Sequence, residues 1–197
     1  MNENDAELIQ QALGGDAQAF THLVERYQGP VYHLCYRMLG EAGEAEDAAQ
    51  ETFLRAFQNL RRYDRQRPFS TWLLSIAAHY CIDQVRRRRM RLLSYDDLPH
   101  LDPPDGSPGP EGSLAIKEEQ RRVQLLLATL EPRDRAALVM LYWYDLSYEE
   151  IAGALSMSVS AVKSRLHRAR HELAELWMKG SLQPVAGERS CHESPAF

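Results

Sequence analysis

The sequence predicts an all-α protein with two small helical domains, and three patterns carry this prediction. Apolar residues recur at helical spacing over several long segments. A segment rich in proline, glycine and aspartate separates two groups of such helices. A helix-turn-helix pattern closes the second group. The predicted organisation is an N-terminal domain at residues 1–93, an acidic linker at 94–113, a C-terminal domain at 114–179 and a disordered tail at 180–197.

Composition is typical of a globular protein of the cytoplasm. Hydrophobic residues make up 44% of the 197 residues, which argues against wholesale disorder. No apolar run approaches the length of a membrane span, and the polar start MNENDAEL lacks the pattern of a signal peptide. The net charge of -5 is unexpected for a DNA-binding protein. A DNA-binding function therefore requires acidic and basic residues to occupy different segments.

The three cysteines predict neither a disulfide framework nor a metal centre. Cys35, Cys81 and Cys191 are odd in number, widely spaced and without a CxxC pair. Cys35 and Cys81 lie on apolar helix faces, which indicates buried thiols. Cys191 and His192 are too few ligands for a metal site. We expect the chain to hold no cofactor.

The first helical stripe runs from Asp16 to Leu39. Its apolar members are Phe20, Leu23, Val24, Tyr27, Val31, Leu34, Cys35 and Met38. Gly29-Pro30 interrupts this stripe and predicts a kink or a short break, because proline cannot donate a backbone hydrogen bond.

The next predicted helix, from about Glu44 to Leu60, has two different faces. Its core face is formed by Ala45, Ala49, Phe53, Ala56 and Phe57. Its outer face is formed by Asp47, Gln50, Glu51 and Leu54. The simplest interpretation of this acidic stripe is a solvated surface. The alternative is a docking face for a basic protein partner.

An arginine-rich loop and a long helix follow. Asn59 to Pro68, NLRRYDRQRP, has no periodicity and predicts a loop around Tyr63. The helix from Pro68 to about Arg91 ends in a cluster that comprises Arg86, Arg87, Arg88, Arg89 and Arg91. Cations suit the negative end of a helix macrodipole. So many arginines further favour a nucleic-acid backbone, since neutralising phosphates supplies affinity for any sequence.

The second group of helices begins beyond the linker SYDDLPHLDPPDGSPGPEGS, whose composition cannot form a packed core. A helix is predicted from about Leu114 to Leu130. Pro132 suits the first turn of the next helix. The apolar residues Ala136, Val139, Met140 and Trp143 are expected to carry that helix into a core. Beyond Lys179 no periodicity remains.

Leu146 to His171 has the pattern of a helix-turn-helix. Ser147 and Glu150 have the spacing of a capping box, which starts a first helix from about Tyr148 to Leu155. Ser158 can cap a second helix, whose inward residues are Val159, Val162, Leu166, Ala169 and Leu173. Its outward residues are Ser160, Lys163, Ser164, His167, Arg168 and His171, with Arg165 and Arg170 at the margins. Small donors near the helix start and cations further along suit entry into a DNA major groove.

A purely structural interpretation of this segment is also open, because a charged outer face is the default for a surface helix. Three features together favour DNA. They are the two caps, the small Ala152 that permits a close helix crossing, and the cationic second helix.

Three segments of the chain resemble, in the same order, the hallmark segments of the extracytoplasmic-function (ECF) group of bacterial RNA polymerase sigma factors. They are EDAAQETFLRAF at Glu46–Phe57, FSTWLLSIAAHYCIDQVRRRR at Phe69–Arg89, and LSYEEIA with SAVKSRLHRAR at Leu146–Arg170. The resemblance covers nearly the whole chain except the tail. It implies a sigma region 2 bundle in the N-terminal domain and a sigma region 4 helix-turn-helix in the C-terminal domain.

The resemblance also implies roles for individual residues. The outer face Asp47, Gln50, Glu51 and Leu54 is similar to the surface that docks on the clamp helices of the polymerase beta-prime subunit, and region 4 meets the beta flap. The implied minus-ten contacts are Arg62, Tyr63, Arg65, His79, Arg86, Arg87, Arg88 and Arg89, with Tyr63 in the loop that captures a flipped base. For the minus-thirty-five element, Ser160, Lys163 and Ser164 would lie nearest the bases. Arg165, His167, Arg168 and Arg170 would lie nearer the phosphates.

The chain departs from the family pattern at three positions. Ser75 and His79 stand where many relatives have arginine and asparagine. Ser156 replaces the glycine common in the turn, so we expect a non-glycine residue there in a conformation that glycine adopts more easily.

These features predict a promoter-specificity subunit and not an enzyme. Its expected partners are core RNA polymerase, promoter DNA and an anti-sigma factor, and the free chain is expected to be a monomer that does not insert into a membrane. One alternative is a stand-alone helix-turn-helix regulator, which leaves the arginine-rich loop and the acidic face without a role. A second alternative is an enzyme acting on nucleic acid. His79, Cys81 and Asp83 on one helix do not offer the convergent geometry that an enzyme needs.

Overall fold

The computed structural model describes residues 3–94 and 111–178, and all regular structure in these two ranges is helical. The helices are α1 (Glu3–Leu13), α2 (Ala17–Leu39), α3 (Ala42–Asn59), α4 (Phe69–Ser94), α5 (Glu111–Thr129), α6 (Pro132–Tyr144), α7 (Tyr148–Ala154) and α8 (Val159–Met178), with a short 3-10 helix (Leu60–Arg62) after α3. The prediction of an all-α fold is confirmed. Among the described helices, none combines the length and the apolar character that crossing a membrane requires.

Helices α1 to α4 form the N-terminal helix group, in which α2 packs against both α3 and α4. Large apolar side chains from α2 and α4 fill its centre, and Leu23, Met38 and Phe69 are each at most 2% exposed. Helix α3 contributes small residues such as Ala45 and Ala56, both fully buried. Because the distance between packed helices depends on the side chains at the contact, these alanines let α3 approach its neighbours closely.

Helix α1 was not predicted, although Leu8, Ile9, Ala12 and Leu13 recur at helical spacing in its segment. Ile9 anchors the helix in the core with 2% exposure. Asp5 supplies a second, polar anchor, since its carboxylate accepts hydrogen bonds from Arg26 and from the hydroxyl of Tyr27 at 2.6 Å. Burial and the bond to Asp5 raise the pKa of the Tyr27 hydroxyl.

Helix α2 is continuous through Gly29-Pro30, so the predicted short break does not occur. A proline in a helix interior costs about 3 kcal/mol through its lost hydrogen bond and its steric clash. Leu23 and Val31, both fully buried, hold the helix in the core on either side of that position. Tertiary packing therefore overrides the local preference.

Two aromatic residues predicted to be buried are exposed. Phe57, assigned to the core face of α3, is 52% exposed, and its ring meets that of Phe20 edge-on at 5.0 Å. Trp143, assigned to the core of the second domain, is 38% exposed and lies 4.8 Å from the guanidinium of Arg37. Helical periodicity predicts the direction of a side chain around its helix, and not how far the neighbouring helix covers it.

Helices α6, α7 and α8 pack together, and α5 is bound to α6 through Arg135, which donates to the Ala128 carbonyl. These four helices form the C-terminal helix group, which contains the predicted helix-turn-helix. The capping box is present, because the Ser147 hydroxyl accepts the Glu150 amide and the Glu150 carboxylate accepts the Ser147 amide. Ser158 caps α8 through the amide of Ala161 at 3.2 Å. Ser156 has a φ of 52°, which is the glycine-like conformation expected from the sequence. The predicted inward stripe of α8 is fully buried at Val162, Leu166 and Ala169.

Two of the three cysteines lie among the described residues. Cys35 and Cys81 are buried free thiols, as predicted. A hydrogen bond to Cys35, together with burial, raises the pKa of the Cys81 thiol.

Cys191, the tail at 180–197 and most of the predicted linker lie outside the described residues. Residue 94 is the last of α4 and residues 111–113 are the first of α5, so these ends of the predicted linker are helical.

Candidate functional surfaces

The outer face of α3 presents its acidic stripe to solvent. Asp47, Gln50 and Leu54 are exposed, and the Leu54 side chain is exposed by 52%. Glu51 is half-buried and accepts a hydrogen bond from Arg55 at 2.7 Å, one helical turn further on. The spacing of these residues places two carboxylates and an apolar side chain on one side of the helix.

An apolar groove of about 510 Å³ runs between α2 and α3 beside this acidic face. Val24, Tyr32 and Phe53 line it, and Gln50 belongs to both the groove and the acidic face. Burial and the nearby carboxylate of Glu46 raise the pKa of the Tyr32 hydroxyl. The combined surface suits a partner that carries apolar side chains with cations next to them.

The loop after α3 buries its aromatic residue. Tyr63 is 8% exposed, and its ring packs against those of Phe69 at 5.4 Å and Trp72 at 5.1 Å. Its hydroxyl donates to the carbonyl of Arg67 at 2.5 Å. Burial raises the pKa of that hydroxyl. A ring held in this way is not available to stack on a base, so the role inferred for Tyr63 from the resemblance requires the loop to move.

Truncation of Tyr63 is therefore expected to act on stability. Tyr63→Ala removes a buried aromatic side chain and should lower the free energy of unfolding by about 3–5 kcal/mol. Tyr63→Phe loses only the hydroxyl and should cost about 1 kcal/mol. Urea unfolding followed by circular dichroism measures both. If Tyr63→Ala unfolds at the same urea concentration as the unaltered chain, the ring is not part of the core.

The cations predicted for the minus-ten element lie along α4 and in the loop before it. Arg86, Arg87, Arg88 and Arg89 are all exposed near the end of α4, and so are Arg62, Arg65 and His79. Within the described part of the chain, Arg87 and Arg89 form no ion pair, whereas Arg88 lies 3.5 Å from Glu44. A helix rises about 1.5 Å per residue, so the start of α4 and its arginine cluster are about 25 Å apart. They can meet DNA only at different positions along the strand.

Helix α8 presents small donors first and cations later. Ser160, Lys163, Ser164, His167 and Arg168 are exposed, as predicted. Three cations of α8 are anchored to other helices. Arg165 reaches the carboxylates of Glu131 at 2.9 Å and Asp134 at 2.5 Å, Arg168 lies 3.4 Å from Asp134, and Arg170 donates to the hydroxyl of Tyr142 at 3.0 Å.

The two helix groups meet at the C-terminal end of α2. Gln124 of α5 donates to the carbonyls of Tyr36 at 2.7 Å and Arg37 at 3.3 Å. Arg135 of α6 donates to the carbonyl of Met38 at 2.5 Å. Because the last carbonyls of a helix have no partner within it, these two side chains act as caps of α2 supplied by the other group.

Arg135 was not singled out from the sequence, although it is one of the most buried charged residues described. It is 5% exposed and also donates to the carbonyl of Ala128 at 2.7 Å. Burial lowers the pKa of its guanidinium to about 10. The sequence did contain a signal for its burial, because Arg135 lies one helical turn before Val139, which was predicted to face the core. An arginine on such an inward stripe needs hydrogen-bond acceptors.

The arginine-rich loop also touches the helix-turn-helix. A Cβ atom on Gly153 of α7 would lie only 3.3 Å from Nη1 of Arg67. Nearby, Arg86 of α4 lies 3.6 Å from Glu131, next to the start of α6. The arginine-rich loop and the end of α4 therefore contact the C-terminal helix group in this structure.

The chain matches two known families in two separate segments. These are Sigma-70 region 2 over residues 23–91 and Sigma-70, region 4 over residues 120–173. It is 36% identical over 177 residues to the ECF RNA polymerase sigma factor SigW of Bacillus subtilis, which covers 84% of this chain and 92% of that protein. It is 35% identical over 185 residues to the RNA polymerase sigma factor CnrH of Cupriavidus metallidurans, with 89% and 96% covered. A solved structure of CnrH in complex with the cytosolic domain of CnrY aligns with 90% of this chain and 99% of that chain, with a TM-score of 0.66 and 29% identity.

Proposed function

Because the chain belongs to the ECF group of RNA polymerase sigma factors, we propose that it acts as a promoter-specificity subunit through the surfaces described above. A sigma factor binds core RNA polymerase, directs it to promoters and helps to open the DNA, while the polymerase carries the catalysis. The N-terminal domain at 1–93 would dock on polymerase and bind the minus-ten element. The domain at 114–179 would read the minus-thirty-five element. This work takes place in the cytoplasm, where the chromosome and the polymerase are.

One observation carries this proposal, and it is the segregation of charge. The exposed stripe of α3 is acidic at Asp47. The C-terminal end of α4 is cationic at Arg87 and Arg89, and the exposed face of α8 is cationic at Lys163. Acidic and cationic surfaces on separate elements let one chain bind a basic protein and a polyanion at once. This distribution also explains how a chain of net charge -5 can bind DNA.

Docking on polymerase is assigned to the acidic face of α3 and the groove beside it. Asp47 and Glu51 would meet cations of the beta-prime clamp helices, while Leu54 and the groove lined by Phe53 would take apolar side chains. A stand-alone regulator has no use for such a surface. Two measurements separate these functions. A sigma factor should retain core polymerase when the tagged chain is used as bait, whereas a stand-alone regulator should bind duplex DNA as a dimer.

Binding of the minus-ten element is assigned to the loop and the exposed cations of α4. The distance of about 25 Å along α4 corresponds to about 7 base pairs at a rise of 3.4 Å. Arg62 and Arg65 near one end and Arg87 and Arg89 near the other would therefore contact phosphates at the two ends of an element of this length. His79 lies exposed between them.

Transcription with purified core polymerase and a randomised promoter library tests the whole assignment. We expect enrichment of templates with two conserved blocks at a constant spacing, because the two helix groups are joined in one chain. Each mismatched base pair within a block should cost about 1–3 kcal/mol in binding. Enrichment of a single palindromic block, or transcription that is the same with and without the chain, would contradict a sigma function.

The packed arrangement of the two helix groups cannot hold both promoter elements. The centres of elements named minus ten and minus thirty-five are about 25 base pairs apart, or about 85 Å at 3.4 Å per base pair. In this structure the arginine-rich loop instead lies against α7, at Arg67 and Gly153, and Arg86 lies beside Glu131 at the start of α6. The helix groups must separate before the polymerase complex reads a promoter.

Regulation by an anti-sigma factor follows as part of this proposal. The relative CnrH was solved in complex with the cytosolic domain of CnrY. An equivalent partner of this chain would cover the groove and the acidic face of α3 and hold the helix groups together. Size-exclusion chromatography with the product of a neighbouring gene tests this, since a stable complex should displace core polymerase.

A further inference from the structure

The first turn of α6 contains a buried carboxylate that holds two cations of the recognition helix. The side chain of Asp134 is 7% exposed. One of its oxygens lies 2.5 Å from Nη1 of Arg165, and the other lies 3.4 Å from Nε of Arg168. Glu131, the residue that caps α6, adds a second carboxylate at 2.9 Å from Arg165.

The local sequence explains why these two charges are stable at this place. Glu131 accepts the amides of Arg133 and Asp134, and Pro132 occupies the first helical position, where no donor is needed. Negative charge near the start of a helix is favoured by the macrodipole. The carboxylates therefore face α8 from a rigid helix end.

Stability alone does not account for this arrangement. A buried ion pair often contributes no more than well-packed apolar residues of the same volume would. The buried part of the contact between α6 and α8 is otherwise apolar, and Val139, Leu166 and Ala169 are fully buried. An apolar residue in place of Asp134 would suit such a contact, so the carboxylate points to a role in what α8 does.

We infer that Asp134 is a specificity-determining residue, which keeps Arg165 and Arg168 from gripping phosphates and thereby lets base contacts decide where α8 binds. The inference rests on the proposed function, in which α8 enters the major groove at the minus-thirty-five element. Cations that are free to meet phosphates hold the helix on DNA without regard to sequence, so they strengthen binding most where base contacts are absent. Contacts to base edges from the first turns, where Ser160, Lys163 and Ser164 are exposed, supply the discrimination.

The two arginines are affected differently. Arg165 has only 23% of its side chain exposed and faces two carboxylates, so its charge is neutralised within the protein. Arg168 is 61% exposed, and its Nε is held by Asp134. A guanidinium tethered through Nε can direct its two amino groups only within a narrow range. Asp134 thus removes Arg165 from the phosphate-binding set and holds Arg168 away from phosphates.

The test uses holoenzyme formed from core polymerase and the full chain with Asp134→Asn. The probes are a promoter duplex enriched from the randomised library and the same duplex with its minus-thirty-five block scrambled. Dissociation constants are measured over a series of KCl concentrations. We expect scrambled DNA to bind about 3–5 times more tightly, with a salt slope steeper by about 1–2, because one or two more phosphates are neutralised. Binding to the enriched duplex should change little, because base contacts already fix the position of α8 there, so the preference for it should fall by about the same 3–5-fold.

Two further variants separate this role from simple loss of structure. Glu172→Gln removes an exposed carboxylate of α8 that has no ion pair among the described residues, and it should change the preference by less than twofold. Adding Arg168→Gln to Asp134→Asn should remove most of the extra salt slope. Arg168→Gln alone leaves Asp134 in place and should leave binding to scrambled DNA within twofold of the unaltered chain.

Several results would overturn the inference. One is an unchanged preference in Asp134→Asn holoenzyme. Another is equal weakening on both duplexes, which marks a structural role. If Asp134→Asn does not fold, Arg168→Gln alone still tests the inference. A salt dependence of DNA affinity that is shallower by about 1 in this variant would show that Arg168 already binds a phosphate in the unaltered chain, which contradicts the inference. A wild-type holoenzyme without any preference removes the assignment of α8 as the reader, and with it this inference.

Discussion

Replacing both Asp47 and Glu51 with lysine is expected to weaken the attachment of the chain to core RNA polymerase by about 100-fold or more. The two positions are one helical turn apart on the exposed face of α3. Reversal converts two attractive contacts with a basic partner into repulsive ones, and like charges across an interface cost several kcal/mol. A loss of 2.7 kcal/mol already corresponds to about 100-fold in the dissociation constant. Lysine at position 51 would also face Arg55, which Glu51 now holds.

Fluorescence anisotropy of the labelled chain titrated with core polymerase measures this loss. The matched control reverses two exposed acidic residues elsewhere, Glu7→Lys and Glu25→Lys, and should bind within about threefold of the unaltered chain. Neutral replacements, Asp47→Asn with Glu51→Gln, should give an intermediate loss. If the double lysine variant folds and binds as tightly as the control, the acidic face of α3 is only a solvated surface.

Replacing Arg135 with methionine is expected to separate the two helix groups. The change removes the buried donor to the Met38 carbonyl, which then has no partner in the packed arrangement but can bind water when the groups part. An unsatisfied buried acceptor costs about 1–3 kcal/mol, so the ratio of packed to separated molecules should fall by about 5- to 150-fold. Loss of the bond to Ala128, within the second half of the chain, should also lower the stability of α5 and α6.

Energy transfer between dyes on the two groups reports this separation. Cysteines introduced at Gln58 and Glu172, with Cys191→Ser, provide labelling sites, since Cys35 and Cys81 are fully buried. Arg133→Met is the matched control, because the Arg133 side chain has no ion pair among the described residues, and it should leave the transfer efficiency unchanged. Gln124→Met removes only its two hydrogen bonds to α2, both between the groups, and should give a smaller shift in the same direction. An Arg135→Met variant with the same transfer efficiency as the control would show that this cap does not hold the groups together.

Features that depend on neighbours in the chain were predicted well. The capping box of Ser147 and Glu150, the cap at Ser158 and the inward stripe of α8 each involve residues within a few turns of one another. The unusual turn at Ser156 belongs to the same class, since its φ of 52° follows from its place between two helices. The exposed positions of the proposed site, such as Asp47 and Lys163, were also predicted correctly. Once the inward apolar stripe of a helix is known, the remaining residues must face outward.

Features that depend on distant neighbours were missed or misplaced. Helix α1 escaped prediction because its polar anchor, Asp5, acts through residues more than 20 positions away. The loop around Tyr63 was expected to present an aromatic ring, yet the ring packs against Phe69 and Trp72. The role of the Asp134 carboxylate was also missed, because its partner Arg165 lies on α8, 31 residues further along the chain.

The sequence by itself determined helices α2 to α8, the caps of the helix-turn-helix, the charge of each exposed face and the family to which the chain belongs. The reason is that hydrogen bonds and periodicity within a helix are set over one or two turns. Only the tertiary structure decided which charges are neutralised and how the two helix groups meet. Arg135 and the Met38 carbonyl are 97 residues apart, and no local pattern predicts that a cation will be desolvated at that distance. Contacts of this kind depend on how helices pack, and the energy of a buried charge depends on the whole of its surroundings.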